Sequence, residues 1–138
     1  MGNLYPCTLW GKSNLGGNCM QKRILVVDDD KMNLMRTKMI LDKSYEIVLA
    51  ESGREALDKL KREKMDLVLL DIAMPSMDGI ETFEHMKENS IEVPVIFLTA
   101  SGYEEDVKSA IKLGAVNYLK KPFRPQELLK RVAKEFEE

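Results

Sequence analysis

Certain residues in this chain could do chemistry together, and each stands where a short apolar run stops. Asp28, Asp29 and Asp30 follow Ile24-Leu25-Val26-Val27, Asp71 follows Leu67-Val68-Leu69-Leu70, Thr99 follows Val95-Ile96-Phe97-Leu98, and Lys121 lies just past the run from Ala115 to Leu119. Singly each has an ordinary explanation, since Asp caps helices, Thr ends strands and a Lys before Pro is usually solvated. Asp30 is assigned to capping or solvent on that ground. As a set the others demand more. Carboxylates about 4 Å apart repel by roughly 4 kcal/mol per pair at an effective dielectric of 20, so a converging group calls for a cation. With oxygen donors and neither Cys nor His nearby, the expected ion is hard, and Mg²⁺ suits a shallow site that keeps waters and a substrate phosphate. Lys121 would neutralise one charge and hold a phosphoryl oxygen, while Thr99 offers a hydroxyl donor. A carboxylate so equipped can accept a phosphoryl group, a transfer governed by positioning and charge neutralisation. Asp71 is the expected nucleophile, because it stands alone after its run and the turn Met74-Pro75-Ser76-Met77-Asp78-Gly79 is expected to expose it.

The elements that must position these residues follow from the alternation of short apolar runs with amphipathic stretches from Gln21 onward. That alternation marks βα units around a parallel sheet. The runs at Ile24, Leu67 and Val95 are continuous rather than alternating, so they are expected to be central strands covered on both faces. Ile47-Val48-Leu49 and Ala115 to Leu119 complete a doubly wound, five-stranded sheet with right-handed crossovers. Ligands of such sheets bind outside the carboxyl ends of the strands, where the chemical residues fall. Between the strands, Ala56, Leu57 and Leu60 share one helical face, as do Val107, Ala110 and Ile111, and Leu128, Leu129, Val132 and Phe136. Ser52 with Glu55, and Ser101 with Glu104, have capping-box spacing, Pro125 suits a first helical turn, and Gly53 and Gly114 punctuate turns.

Composition narrows the function classes. A chain of 138 residues with 44% hydrophobic content can bury one core, and a net charge of −2 supplies no basic field for nucleic acid or anionic lipid. Cys7 and Cys19 both precede the patterned region, which needs no disulfide and suits the cytoplasm. No apolar stretch approaches 18 residues, so neither membrane insertion nor secretion is expected, and Pro6 stands where a myristoylation signal wants Ser or Thr. Residues 1–20 lack periodicity and are read as a flexible leader of vector or upstream origin before a domain at 21–138. His85, the single histidine, falls in the third helix, away from the strand ends, and is read as a packing or solvated residue.

Val26-Val27-Asp28-Asp29, Asp71-Ile72-Ala73-Met74-Pro75-Ser76-Met77-Asp78-Gly79, Thr99-Ala100 and Lys120-Lys121-Pro122-Phe123, in this order and at these separations, are similar to the receiver domains of two-component response regulators. The resemblance covers residue 23 to about 135. It implies a flavodoxin-like fold with strand order 2-1-3-4-5, Asp71 as phosphoacceptor, and Mg²⁺ held by Asp28, Asp29, Asp71 and the backbone carbonyl of Ala73. It further implies that Thr99 and Lys121 grip the phosphoryl group and that the Lys121-Pro122 peptide is cis. The donor would be a phosphohistidine on a sensor histidine kinase or histidine phosphotransfer protein. The domain would promote its own loading and slow hydrolysis without being an enzyme for diffusible substrates. Tyr118 matches an aromatic that switches position with Thr99, so the signalling surface would be the fourth helix, fifth strand and fifth helix, facing an unknown output protein or domain. Lys120, Arg124, Lys130 and Arg131 give part of that region a basic cast. Ala73 matches a site that influences how long the phosphorylated form lasts.

Two other readings use the same architecture. An aspartyl phosphatase of the haloacid-dehalogenase type needs a second Asp two residues after its nucleophile as general acid, and Ala73 stands there. A flavin carrier needs a Ser, Thr and Gly loop after the first strand, where this chain has three acids. After Phe123 there is room for one helix, which suits either a stand-alone receiver or one excised from a larger protein.

Overall fold

The protein is described by a computed structural model over residues 21–100 and 104–136. Residues 1–20, expected to be a leader, and the expected cap at Ser101 lie outside the described residues. Five strands form one parallel sheet in the order β2-β1-β3-β4-β5: β1 Arg23–Val27, β2 Glu46–Ala50, β3 Leu67–Asp71, β4 Val95–Thr99 and β5 Asn117–Lys120. Helices α1 Lys31–Leu41, α2 Gly53–Arg62, α3 Gly79–Glu88, α4 Glu104–Leu113 and α5 Pro125–Glu135 alternate with them.

The three continuous apolar runs are the three inner strands, as a sheet covered on both faces requires. Successive strand side chains point to opposite faces, and two cores result. Leu25, Val27, Val68, Leu70 and Phe97 meet α2, α3 and α4 through residues such as Leu57, Phe83, Met86 and Ala110. Ile24, Val26, Leu69, Ile96 and Leu98 meet α1 and α5 through Leu34, Leu41, Leu128 and Val132. The register pairs Val27 with both Ala50 and Leu70, Asp71 with Leu98, and Thr99 with Lys120. Strand ends therefore fall level along one edge, and the residues that follow them converge.

Local chemistry sets the helix starts. Asp30 caps α1 by accepting from the Met32 N–H at 2.9 Å. Ser52 caps α2 by accepting from the Glu55 N–H at 3.1 Å, but Glu55 accepts from the Glu51 N–H rather than from Ser52, so the expected box closes one residue early. Asp78 and Glu81 form a full reciprocal box on α3. Pro125 occupies the first turn of α5.

Several expectations need correcting. Gly53 is not in a turn but opens α2, where it is buried; Gly114, with φ of +114°, is the turn glycine. The last strand begins at Asn117 rather than Ala115. Ile111 and Leu129 are 43% and 37% exposed, because each follows a residue that already faces the core and is turned off it by a further 100°. On α1, Met32, Met35 and Met39 lie exposed along one side, opposite the buried Leu34 and Leu41. No helix among the described residues is long and apolar enough to cross a membrane.

Candidate functional site

At the carboxyl edge of the sheet, carboxylate oxygens of Asp28, Asp29 and Asp71 lie within 4.8 Å of one another. Asp28 and Asp71 are buried, at 2% and 6% exposure, while Asp29 is open to solvent. The Lys121 ammonium donates to Asp28 Oδ2 and to Asp71 Oδ1, each at 3.0 Å. The other Asp28 oxygen accepts from the Asp30 N–H at 3.0 Å. The Lys121 backbone is held at this edge by its N–H, which donates to the Thr99 carbonyl at 2.7 Å; the Lys121-Pro122 peptide is cis.

One expectation about Asp71 was wrong. The turn after β3 does not expose it; the connection folds back over the strand end instead. The Gly79 N–H donates to the Ile72 carbonyl at 2.8 Å, and a β-carbon on Gly79 would lie 2.4 Å from the Asp71 carbonyl oxygen. Glycine is required there by close approach of two backbones. Burial pushes the Asp71 carboxyl up to about 6; Lys121 opposes the shift and the charges of Asp28 and Asp29 add to it. Burial also disfavours the Lys121 ammonium, but Asp71 and Asp28 together outweigh it and its pKa is raised.

Three carboxylates against one ammonium leave a surplus of negative charge. The donors are all hard oxygens, which fits a divalent cation of the Mg²⁺ type. Thr99 is buried at the end of β4, and its hydroxyl donates to the Ala100 carbonyl at 3.2 Å. Ala73 is exposed in the loop after Asp71. Tyr118 on β5 is 42% exposed and shares a cavity of about 570 Å³ with Thr99, Ala100 and Lys120. A second cavity of about 310 Å³ opens beside Asp28 and Lys121, lined also by Asn33, Arg36 and Phe123. Asn33 and Arg36 had no sequence signal, because only the fold brings α1 against the segment after β5, whereas Phe123 closes the Lys120-Lys121-Pro122-Phe123 motif. His85 on α3 pairs with Glu88 at 3.2 Å, outside the acidic edge.

A family model described as the response regulator receiver domain matches residues 24–133. The chain belongs to the response regulator receiver family. This receiver is 40% identical over 114 residues to the alkaline phosphatase synthesis transcriptional regulatory protein PhoP of Bacillus subtilis, covering 82% of this chain and 48% of that protein. Against the transcriptional regulatory protein CpxR of Escherichia coli K12 the identity is 40% over 111 residues, covering 80% and 47%. The chain thus spans about half the length of these curated relatives. Among solved structures, the CheY-like receiver domain protein of Methanospirillum hungatei superposes with a TM-score of 0.78 at 34% identity, covering 83% of this chain and 93% of that one. The chemotaxis protein CheY4 of Vibrio cholerae gives 0.77 at 32%, covering 84% and 98%. The strand order 2-1-3-4-5 is the one expected for this fold.

Proposed function

We propose that the receiver unit, taken as residues 21–138, is a phosphorylation-driven switch in which Asp71 accepts a phosphoryl group from a phosphohistidine. The observation that carries this reading is the Lys121 ammonium at 3.0 Å from both Asp28 and Asp71, with Asp29 completing an acidic group within 4.8 Å. Asp28, Asp29, Asp71 and the carbonyl of Ala73 would hold Mg²⁺, which when bound supplies charge neutralisation to the phosphoryl oxygens. An Asp71 oxygen forms the new P–O bond as the P–N bond of the donor imidazole breaks; the electron pair stays on that nitrogen, which takes up a proton. Lys121 shifts its hydrogen bonds from Asp71 to the arriving phosphoryl oxygens, and the Thr99 hydroxyl turns from the Ala100 carbonyl to donate to them. Hydrolysis is a separate step: water attacks phosphorus, the P–O bond to Asp71 breaks with its electron pair staying on the carboxylate, and inorganic phosphate departs carrying the water oxygen and its proton. The exposed Ala73 leaves a path for that water.

The donor is a sensor histidine kinase or a phosphotransfer protein, and the listener is an output domain or protein, in keeping with relatives named as transcriptional regulators, about half of whose length the match covers. Thr99 and Tyr118 border one cavity, which supports coupling of a Thr99 movement to the α4-β5-α5 face through Tyr118.

Incubation with acetyl phosphate followed by intact mass measurement tests this. The expected result is a base-labile gain of one phosphoryl group with Mg²⁺, absent with EDTA and in Asp71→Asn. A gain that persists in Asp71→Asn would overturn the assignment, and sustained phosphate release from assorted monoesters would point to a phosphatase instead.

A further inference from the structure

The loop between β3 and α3 carries Ala73, and its ends are tied internally by the Gly79 N–H on the Ile72 carbonyl and by the Met77 N–H on the Pro75 carbonyl, each at 2.8 Å. It is also braced from outside, by a helix that contributes no side chain to the acidic edge. A methyl group built on Gly53, the first residue of α2, would lie 2.1 Å from Thr82 Oγ1, 3.0 Å from Met77 Sδ and 3.2 Å from Met77 Cγ. The bare α-carbon of Gly53 is therefore in contact with both the loop and the first turn of α3. Thr82 is fully buried, and its hydroxyl donates to the Asp78 carbonyl at 2.8 Å, so it holds the residue that both ends the loop and caps α3. Nothing in the backbone angles of Gly53 calls for glycine; the missing side chain is needed for space.

We infer that Gly53 is a positioning residue for the cation site: by letting Met77 and Thr82 seat against α2, it fixes the loop that presents the Ala73 carbonyl. A side chain at position 53 must displace Thr82 from Asp78 or lift Met77 outward, and either movement shifts the loop relative to Asp71. The inference rests on the proposed role of Ala73 as a ligand and deepens it, since it makes the start of α2 a determinant of cation affinity.

The test is a Mg²⁺ titration read as the rise in melting temperature, on the full chain, for the wild type, Gly53→Ala, Met77→Ala, Thr82→Ala, the double variant Gly53→Ala/Thr82→Ala, and Leu57→Ala as a core substitution on the same helix. Gly53→Ala and Met77→Ala are expected to need about tenfold more Mg²⁺ for the same rise in melting temperature above the EDTA value, the scale of losing support behind a ligand. Leu57→Ala lowers the melting temperature in EDTA without changing the Mg²⁺ concentration needed for a given rise. Adding Thr82→Ala to Gly53→Ala removes the 2.1 Å overlap, leaving only the Met77 contacts, and moves the value most of the way to that of Thr82→Ala alone. Met77→Ala, which introduces no clash, decides the matter if Gly53→Ala does not fold. Wild-type Mg²⁺ dependence in both would overturn the inference while leaving the site reading standing. A wild type that neither responds to Mg²⁺ nor takes a phosphoryl group would remove both.

Discussion

Asp71 is held in a position that disfavours its own charge, and this has a measurable sign. Its carboxyl titrates at about 6 in the fold against 3.8 ordinarily, so the native state binds the extra proton between those values. Stability without divalent ions therefore falls as pH rises from about 4 to 6, and the full loss, about 2–3 kcal/mol, is present above that window. Asp71→Asn removes the charge. In EDTA at pH 7.5 its urea midpoint should exceed that of the wild type, with the gain vanishing below pH 4. Saturating Mg²⁺ should narrow or reverse the difference, because only the wild type keeps all three acids for the ion. Lys121→Met acts in the opposite sense. It leaves buried Asp28 and Asp71 facing each other without their ammonium, and is expected to cost about 2–4 kcal/mol in EDTA at pH 7.5. Part of that loss should return with millimolar Mg²⁺ or at pH 5, as denaturation curves under the three conditions would show.

Elements matter here through how they end. The β3 to α3 connection closes on itself by a backbone contact that admits no side chain, since a β-carbon on Gly79 would sit 2.8 Å from the Ile72 α-carbon as well as 2.4 Å from the Asp71 carbonyl. Gly79→Ala should cost about 3 kcal/mol and weaken Mg²⁺ binding, whereas Asp78→Ala, which loses only the cap, should cost about 1 kcal/mol in the same denaturation assay. Asp28, Asp29, Asp71, Thr99 and Lys121 were readable in sequence because parallel strands of similar length all end on one edge, so position after an apolar run already implies proximity. The bracing of that loop was not readable. Gly53, Met77 and Thr82 meet through contacts between helices, and no spacing along the chain encodes which small residue opposes which large one. Asp78 reads in sequence as part of a turn for a related reason, since turn and cap use the same residue types and only the Glu81 partner separates them. Ile111 and Leu129 show the limit of periodicity, which marks an apolar stripe but not its outer margin.

Across the whole molecule, stability is concentrated in the inner strands and their two helical layers. Phe97 is 1% exposed and packs edge to face on Phe83 with centroids 5.5 Å apart, so Phe97→Ala should cost about 3–5 kcal/mol. Replacing Met32, Met35 and Met39 together by Gln should change the melting midpoint little, since these side chains are exposed. The sheet order was legible only by likeness to known receivers; the alternation of runs and helices implied a doubly wound sheet and its inner strands but not which neighbour each would choose. That order divides the site unevenly along the chain. All three acids arrive with β1 and β3, while their ammonium follows β5, 93 positions after Asp28 and 50 after Asp71. A nascent chain emerging from a ribosome thus gathers its anions well before its counter-ion exists. Partly folded chains that lack the last strand carry their repulsion unrelieved, so free divalent cations should speed refolding, as stopped-flow refolding with Mg²⁺ and with EDTA would show.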